Sequence, residues 1–124
     1  MKIPSDLKYT KSHEWLRECG HIIEIGLSDY AQAEMGKLVF LNLPRAGDKV
    51  TAGKAFADME SVKAVSDIYS PVTGVITEVN TPLTGAPDRI NADAYGAWLI
   101  RVEATGEQSQ CMDASEYKDY AEGE

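Results

Sequence analysis

Apolar and polar residues alternate along most of the chain in short runs cut off by glycine and proline, the pattern of half-buried strands. Leu7 and Tyr9 alternate with polar neighbours as an opening strand. Ser12 to Arg17 begins a second, which breaks at Cys19-Gly20, and His21 to Leu27 resumes the extended pattern. Ser28 to Gly36 differs, with a capping residue, a glutamine three after Asp29 and a terminal glycine. It predicts a helix too short to serve the core. Lys37 to Leu43 reads as a strand, Pro44 with Gly47-Asp48 turns the chain before Lys49-Val50, and Gly53-Lys54 turns it again. Ala55, Phe56, Ala57 and Met59 enter a hairpin, Val65, Ile68 and Tyr69 leave it, and Ser70-Pro71 removes a backbone donor and closes it.

Beyond the hairpin Gly74 reads as a turn residue, Val75 to Val79 as a strand, and Asn80 to Ile90, rich in Pro, Gly and Thr, as a long loop. Ala97 to Val102 predicts a last strand with Trp98, Ile100 and Val102 on one face and Arg101 on the other. Trp15 and Trp98 read as core or half-buried packing, since each lies in an alternating strand. Asp113 with Glu116 makes a capping box for a terminal helix over about residues 113–121, whose edge of Tyr117, Tyr120 and Ala121 should dock on the sheet. Gly47 to Lys54 and Pro71 to Val79 echo one another on either side of the hairpin, suggesting two similar halves. The expected class is all-β with short helices, a sandwich or flattened barrel.

Composition narrows the partners. The 124 residues suit one domain spanning 1–124, able to bury a core without metal or disulfide. With 20 acidic against 12 basic residues the formal charge is -8, which disfavours nucleic acid or an anionic membrane and suits basic or mixed-charge protein partners. No run is long enough to span a membrane, and Met1 to Asp6 lacks the apolar core of a secretory signal, so the chain reads as cytoplasmic. Cys19 and Cys111 form no C-x-x-C motif and read as free thiols.

Two chemistries are open to the side chains. Lys63 lies between the hairpin's strands, and a lysine raised on a rigid turn is either an ordinary solvated charge or a flexible nucleophilic stem awaiting modification. Alternatively Cys19 or Cys111 acts as a nucleophile with His13 or His21 as base, or the four build a metal site. Cys19-Gly20-His21 puts two ligand types on one strand face, yet two ligands are too few for a stable site.

The run Glu60-Ser61-Val62-Lys63-Ala64-Val65-Ser66, continued by Asp67-Ile68-Tyr69-Ser70-Pro71-Val72-Thr73-Gly74, resembles the lipoate-attachment hairpin of the glycine cleavage H-protein family. The likeness extends to Tyr9-Thr10-Lys11-Ser12-His13-Glu14-Trp15, Gly26-Leu27-Ser28-Asp29-Tyr30-Ala31-Gln32, Val39-Phe40-Leu41-Asn42-Leu43-Pro44 and Glu78-Val79-Asn80. Biotin carriers usually flank their lysine with methionines, and acyltransferase lipoyl domains usually place aspartate before it and alanine after; here Val62 precedes and Ala64 follows. Ala97 stands where family members commonly have glycine before the tryptophan, and Leu83 to Arg89 is less regular than the family pattern.

The resemblance implies a fold of the lipoyl/biotinyl-carrier (barrel-sandwich hybrid) type and lipoate in amide linkage to Lys63. It implies a non-catalytic, monomeric carrier that visits a pyridoxal phosphate glycine decarboxylase, a tetrahydrofolate-dependent aminomethyltransferase and a dihydrolipoyl dehydrogenase using FAD and NAD. Such a carrier is cytoplasmic, or in the mitochondrial matrix in a processed organellar form. By the same resemblance Ser12, Glu14 and Asp67 shelter the aminomethyl-loaded arm, although each also has an ordinary reading as a turn closer, a strand charge or a lysine partner. Glu60 and Ser61 belong to the face that the lipoate-attaching enzyme recognises, with Glu60 equally an ordinary charge beside a turn. A lipoyl storage or relay protein and a biotinyl carrier domain share this pattern and remain open.

Overall fold

A computed structural model describes residues 1–124. The strands are β1 (Lys8–Tyr9), β2 (Glu14–Cys19), β3 (Ile22–Leu27), β4 (Leu38–Asn42), β5 (Lys49–Val50), β6 (Ala55–Ser61), β7 (Val65–Tyr69), β8 (Val72–Val79) and β9 (Ile100–Gln108). Three α-helices, α1 (Asp29–Met35), α2 (Arg89–Ala92) and α3 (Ala114–Glu122), and a 3-10 turn at Thr81–Gly85 complete the chain. A six-stranded sheet has the order β1-β2-β3-β9-β8-β5 and a three-stranded sheet the order β4-β6-β7, with every pair antiparallel. The expected all-β class with short helices is the one observed.

The main core lies between the sheets. Leu16, Ile25, Ile76 and Val102 of the large sheet meet Leu41, Met59 and Ile68 of the small one. Apolar burial of this kind contributes roughly 25 cal/mol per Å² removed from water. A second cluster joins Leu7, Tyr9 and Trp15 to Tyr117 and Ala121 of α3, with the Tyr9 and Tyr117 rings stacked at 4.6 Å. The capping box fixes where α3 starts: Asp113 Oδ1 accepts the Glu116 N–H at 2.8 Å, and Glu116 Oε1 accepts the Asp113 N–H at 3.0 Å.

The two segments that flank the hairpin lie side by side. Lys49 and Val50 of β5 pair with Val75 and Gly74 of β8, so the two flanking segments hold each other. They belong to the large sheet, whereas the hairpin between them belongs to the small one. The crossing is made at buried Ser70, whose N–H donates to Lys54 O at 2.9 Å and whose Oγ donates to Val72 O at 2.7 Å.

Several expectations need correction. Gly74 serves no turn: it lies inside β8, where a methyl group would run into the carbonyl oxygen of Glu103 on β9, so close strand approach demands glycine. The strand starts at Val72, because Val72 pairs with Gln108 immediately after the proline. Residues 80–90 are no open loop, since Leu83 and Ile90 are buried and draw that stretch into the 3-10 turn and the start of α2. The last strand begins at Ile100 and extends to Gln108. Trp98 therefore precedes the alternation and lies on the Arg101 side, with the guanidinium 3.9 Å from its ring centroid. Short as it is, α1 supplies Ala31 and Met35 to the core.

Gly74→Ala is expected to cost about 1–3 kcal/mol of unfolding free energy, the usual penalty for overpacking. Chemical denaturation against wild type measures it, and an unchanged midpoint would refute the close-approach explanation.

Candidate functional site

The β6–β7 turn is built from Ser61 outward. Its N–H donates to Ala64 O at 2.8 Å, and its Oγ accepts the N–H groups of Lys63 at 3.2 Å and Ala64 at 3.0 Å. No residue of the turn needs a left-handed backbone. Val62 N–H donates to Lys37 O at 3.1 Å and so ties the tip to the approach of β4. That approach is pinned by Asn91 of α2, whose Oδ1 accepts the Leu38 N–H at 2.8 Å while its Nδ2 donates to Gly36 O at 2.9 Å. Sequence reasoning missed Asn91, which lies 28 positions after Lys63 with no periodic signal to mark it.

Lys63 is exposed, and its Nζ makes neither an ion pair nor a hydrogen bond to any other group. Its stem lies over Gly36, which has φ +79° at the end of α1; a methyl group there would sit 3.5 Å from Lys63 Cε. A cavity of about 300 Å³ opens between α1 and the hairpin, walled by Ser12, Glu34, Met35, Met59, Ser66 and Glu124 among others. Met59 and Ser66 face each other across β6 and β7.

Ser12 also borders a larger cavity of about 480 Å³ that includes Thr10, Glu14, Tyr69, Ser70 and Gln110. The loop from Thr10 to Glu14 brings their polar groups together. Glu14 Oε1 accepts the hydroxyls of Ser12 at 2.6 Å and Thr10 at 2.8 Å, and Glu14 Oε2 accepts the Tyr69 N–H at 3.4 Å. Glu14 is only 1% exposed. Burial is the largest influence on its carboxyl and raises its pKa above the ordinary 4.5, outweighing the Ser12 and Thr10 hydroxyls, the Tyr69 N–H and His13, which pull it down. Thr10 and Tyr69 were not foreseen as partners; the Thr10-x-Ser12-x-Glu14 spacing is their only trace in the sequence.

His13, in the same loop, has φ +73°. Its ring is held by Tyr117 Oη at 2.7 Å and Glu124 Oε2 at 3.0 Å, which offset the cost of the left-handed backbone. Asp67 stands exposed on the outward side of β7 and walls neither cavity. Glu60 is likewise exposed, while Ser61 is occupied with the turn. Neither His13 nor His21 is hydrogen-bonded to a cysteine, and no three His, Cys, Asp or Glu residues are grouped to hold a metal. Cys111 donates to Ser109 O at 3.3 Å, and burial raises its thiol pKa.

Residues 7–124 match the family model described as Glycine cleavage H-protein. The glycine cleavage system H protein of Treponema denticola is 55% identical over 95% of this chain and 97% of its own length. That of Lachnoclostridium phytofermentans is 46% identical over 100% of this chain and 98% of its own. The crystal structure of a glycine cleavage system H protein from Mycobacterium marinum superposes with a TM-score of 0.89 at 38% identity, covering 94% of this chain and 97% of that one.

A carboxyl whose pKa is higher when folded binds its proton more tightly in the native state, so its contribution to stability falls as pH rises from about 4.5 through the native value. Glu14→Gln cannot ionise and lacks this dependence. The stability difference, wild type minus Glu14→Gln, should therefore decline over that window in denaturant unfolding at a series of pH values. A difference that is flat or grows with pH would contradict the burial assignment.

Proposed function

The chain belongs to the glycine cleavage H-protein family, lipoyl carriers of the glycine cleavage system, and on that premise we propose that Lys63 is the residue that bears the lipoyl group. The observation that carries this reading is a lysine exposed on a hydrogen-bonded turn, with an unpaired Nζ and a stem lying against Gly36, next in the chain to Met35 of the cavity wall. The residues suit the group. Lys63 Nζ is free to form an amide, Met35 and Met59 offer soft apolar surface to an acyl chain, and Ser12 with Glu14 offers polar acceptors farther on. When bound, the group supplies a cyclic disulfide that takes up two electrons along with a one-carbon unit and later surrenders both.

The chain's own residues position and shelter the arm while the chemistry is done elsewhere. Tethering to Lys63 raises the local concentration of the arm at whichever enzyme is docked, so weak and brief docking suffices. The partners are glycine decarboxylase, the aminomethyltransferase and dihydrolipoyl dehydrogenase in turn, and the carrier works as a monomer that catalyses nothing alone. Prolonged binding to one partner would stall the other two.

Ser12 and Glu14 would receive the cationic end of an aminomethyl-loaded arm: the hydroxyl would accept a hydrogen bond and the carboxylate would pair with the charge. An incoming cation favours the ionised Glu14 that burial disfavours, so the carboxyl is poised to respond to loading. Asp67, on the outward side of β7, offers a third acceptor to an arm that has left the cavity.

Reconstitution with the three purified enzymes tests the reading. The lipoylated chain should sustain glycine-dependent NADH formation, and Glu14→Ala should load normally but lose its aminomethyl group several-fold faster in the absence of aminomethyltransferase. A lipoylated chain that supports no glycine turnover would contradict the carrier role in favour of lipoyl relay. Equal lifetimes would dismiss shelter by Glu14.

A further inference from the structure

Lys63 rests on a short segment that one distant side chain grips from the other side. The lysine stem lies against Gly36, and the turn that bears it is tied back by the Val62 N–H, which donates to Lys37 O at 3.1 Å. Gly36 and Leu38, on either side of Lys37, are both held by Asn91: its Oδ1 accepts the Leu38 N–H at 2.8 Å and its Nδ2 donates to Gly36 O at 2.9 Å. Nδ2 also donates to Gln32 Oε1 of α1 at 3.0 Å, and Gln32 Nε2 donates onward to Asp29 Oδ1 at 2.8 Å. A carboxamide has one carbonyl oxygen and two N–H protons, and all three are engaged here.

No other element meets these groups. Gly36 closes α1, where the last carbonyls lack partners within the helix, and Leu38 opens β4, an edge strand paired with β6 alone. Gly36 has φ +79° and no side chain, so it joins α1 to β4 as a pliant link unless something holds it. Asn91 is itself fixed, because its neighbour Ile90 is fully buried in the main core. Support therefore runs from Ile90 to Asn91, across to Gly36 and Leu38, and through Lys37 to Val62 beside Lys63.

We propose that Asn91 is a positioning residue for the carrier lysine, setting the gap between α1 and the hairpin tip so that the loaded arm settles in the smaller cavity. The proposal rests on the reading of Lys63 as the lipoyl-bearing residue and deepens it by naming what aims that lysine. Both walls of the cavity depend on the gripped segment: Met35 immediately precedes Gly36, and Met59 with Ser66 belongs to the hairpin whose tip Lys37 secures. Asn91 is not itself a wall of the cavity, so it acts through Gly36 and Lys37. Met35 and Leu38 remain buried in the core without its help, so loss of the carboxamide loosens the link and leaves the fold standing. An arm rooted on a loosened link spends more of its time in water, where the aminomethyl group is lost.

Two measurements test this. In the unlipoylated chain, amide hydrogen exchange read by NMR should be at least tenfold faster at Leu38 and Val62 in Asn91→Ala than in wild type. Exchange at Ile76, whose N–H donates to Asp48 O in the large sheet, should stay within twofold. In the lipoylated chain, loaded by glycine decarboxylase and then separated from it, Asn91→Ala should lose its aminomethyl group at least threefold faster than wild type. Gln32→Ala leaves the bonds to Gly36 and Leu38 intact and should fall between the two. Gly74→Ala, destabilised on β8 away from the turn, should keep the wild-type lifetime. Asn91→Asp preserves the side chain's size but sets an oxygen against Gly36 O; it should behave as Asn91→Ala and replaces it should that variant not fold. Unchanged exchange at Leu38 and Val62 would overturn the grip. A wild-type lifetime in Asn91→Ala, or an equally short one in Gly74→Ala, would overturn the positioning role. A wild-type arm that decays as fast as the same aminomethyl group on free dihydrolipoamide would instead sink the shelter on which the proposal rests, and a wild-type chain that accepts no lipoate would sink the reading of Lys63 itself.

Discussion

The two-residue period of the β6–β7 hairpin governs what Lys63 meets. Because successive side chains point to opposite faces, Met59 and Ser66 wall the cavity while their neighbours Glu60 and Val65 face outward. A slip of one residue would exchange these sets and put a carboxylate against the core. Three features hold the register: the Ser61 hydroxyl inside the turn, the Val62–Lys37 backbone bond at the tip, and the corner at Ser70. The lysine's Nζ is unpaired, but its backbone is rooted in a fixed place.

The large sheet serves this arrangement as a scaffold. Its charges are met within the ladder that Glu24 shares with Arg17 and Arg101, so that the buried carboxylate keeps one arginine even if the other is removed. Its far side is closed by α3, whose Tyr117 stacks on Tyr9 and accepts or donates hydrogen bonds with Ser28 and His13. Through His13 that closure reaches the loop carrying Ser12 and Glu14. The polar seat and the terminal helix are thus built on the same few residues, although they lie at opposite ends of the sequence.

Much of the fold was legible because its strands alternate and its turns carry glycine, proline or a capping box. The hairpin, the α3 cap and the short α1 were all readable on those grounds. Gly74 was not, since a glycine required by close strand approach looks in sequence like one required by a turn. Trp98 was placed on the wrong face because alternation was extended back past Ile100, where the strand actually starts. The stretch Glu103 to Gln108 is too polar to announce a strand and depends on pairing with β8. At the site, the position of Lys63 on a turn was visible, whereas Ser12 and Glu14 rested on family resemblance. Their hydrogen bond and the contributions of Thr10, Tyr69 and Asn91 arise from tertiary closure, which no local pattern records.

The central claim is that the fold singles out Lys63 among the chain's lysines for acylation. Enzymatic lipoylation of the full chain, followed by proteolysis and tandem mass spectrometry, tests it most directly. The account predicts that the lipoyl mass is found on Lys63 alone, with Lys37 and Lys54 unmodified and Lys63→Arg accepting none. Modification of another lysine, or lipoylation of Lys63→Arg at the wild-type level, would contradict it.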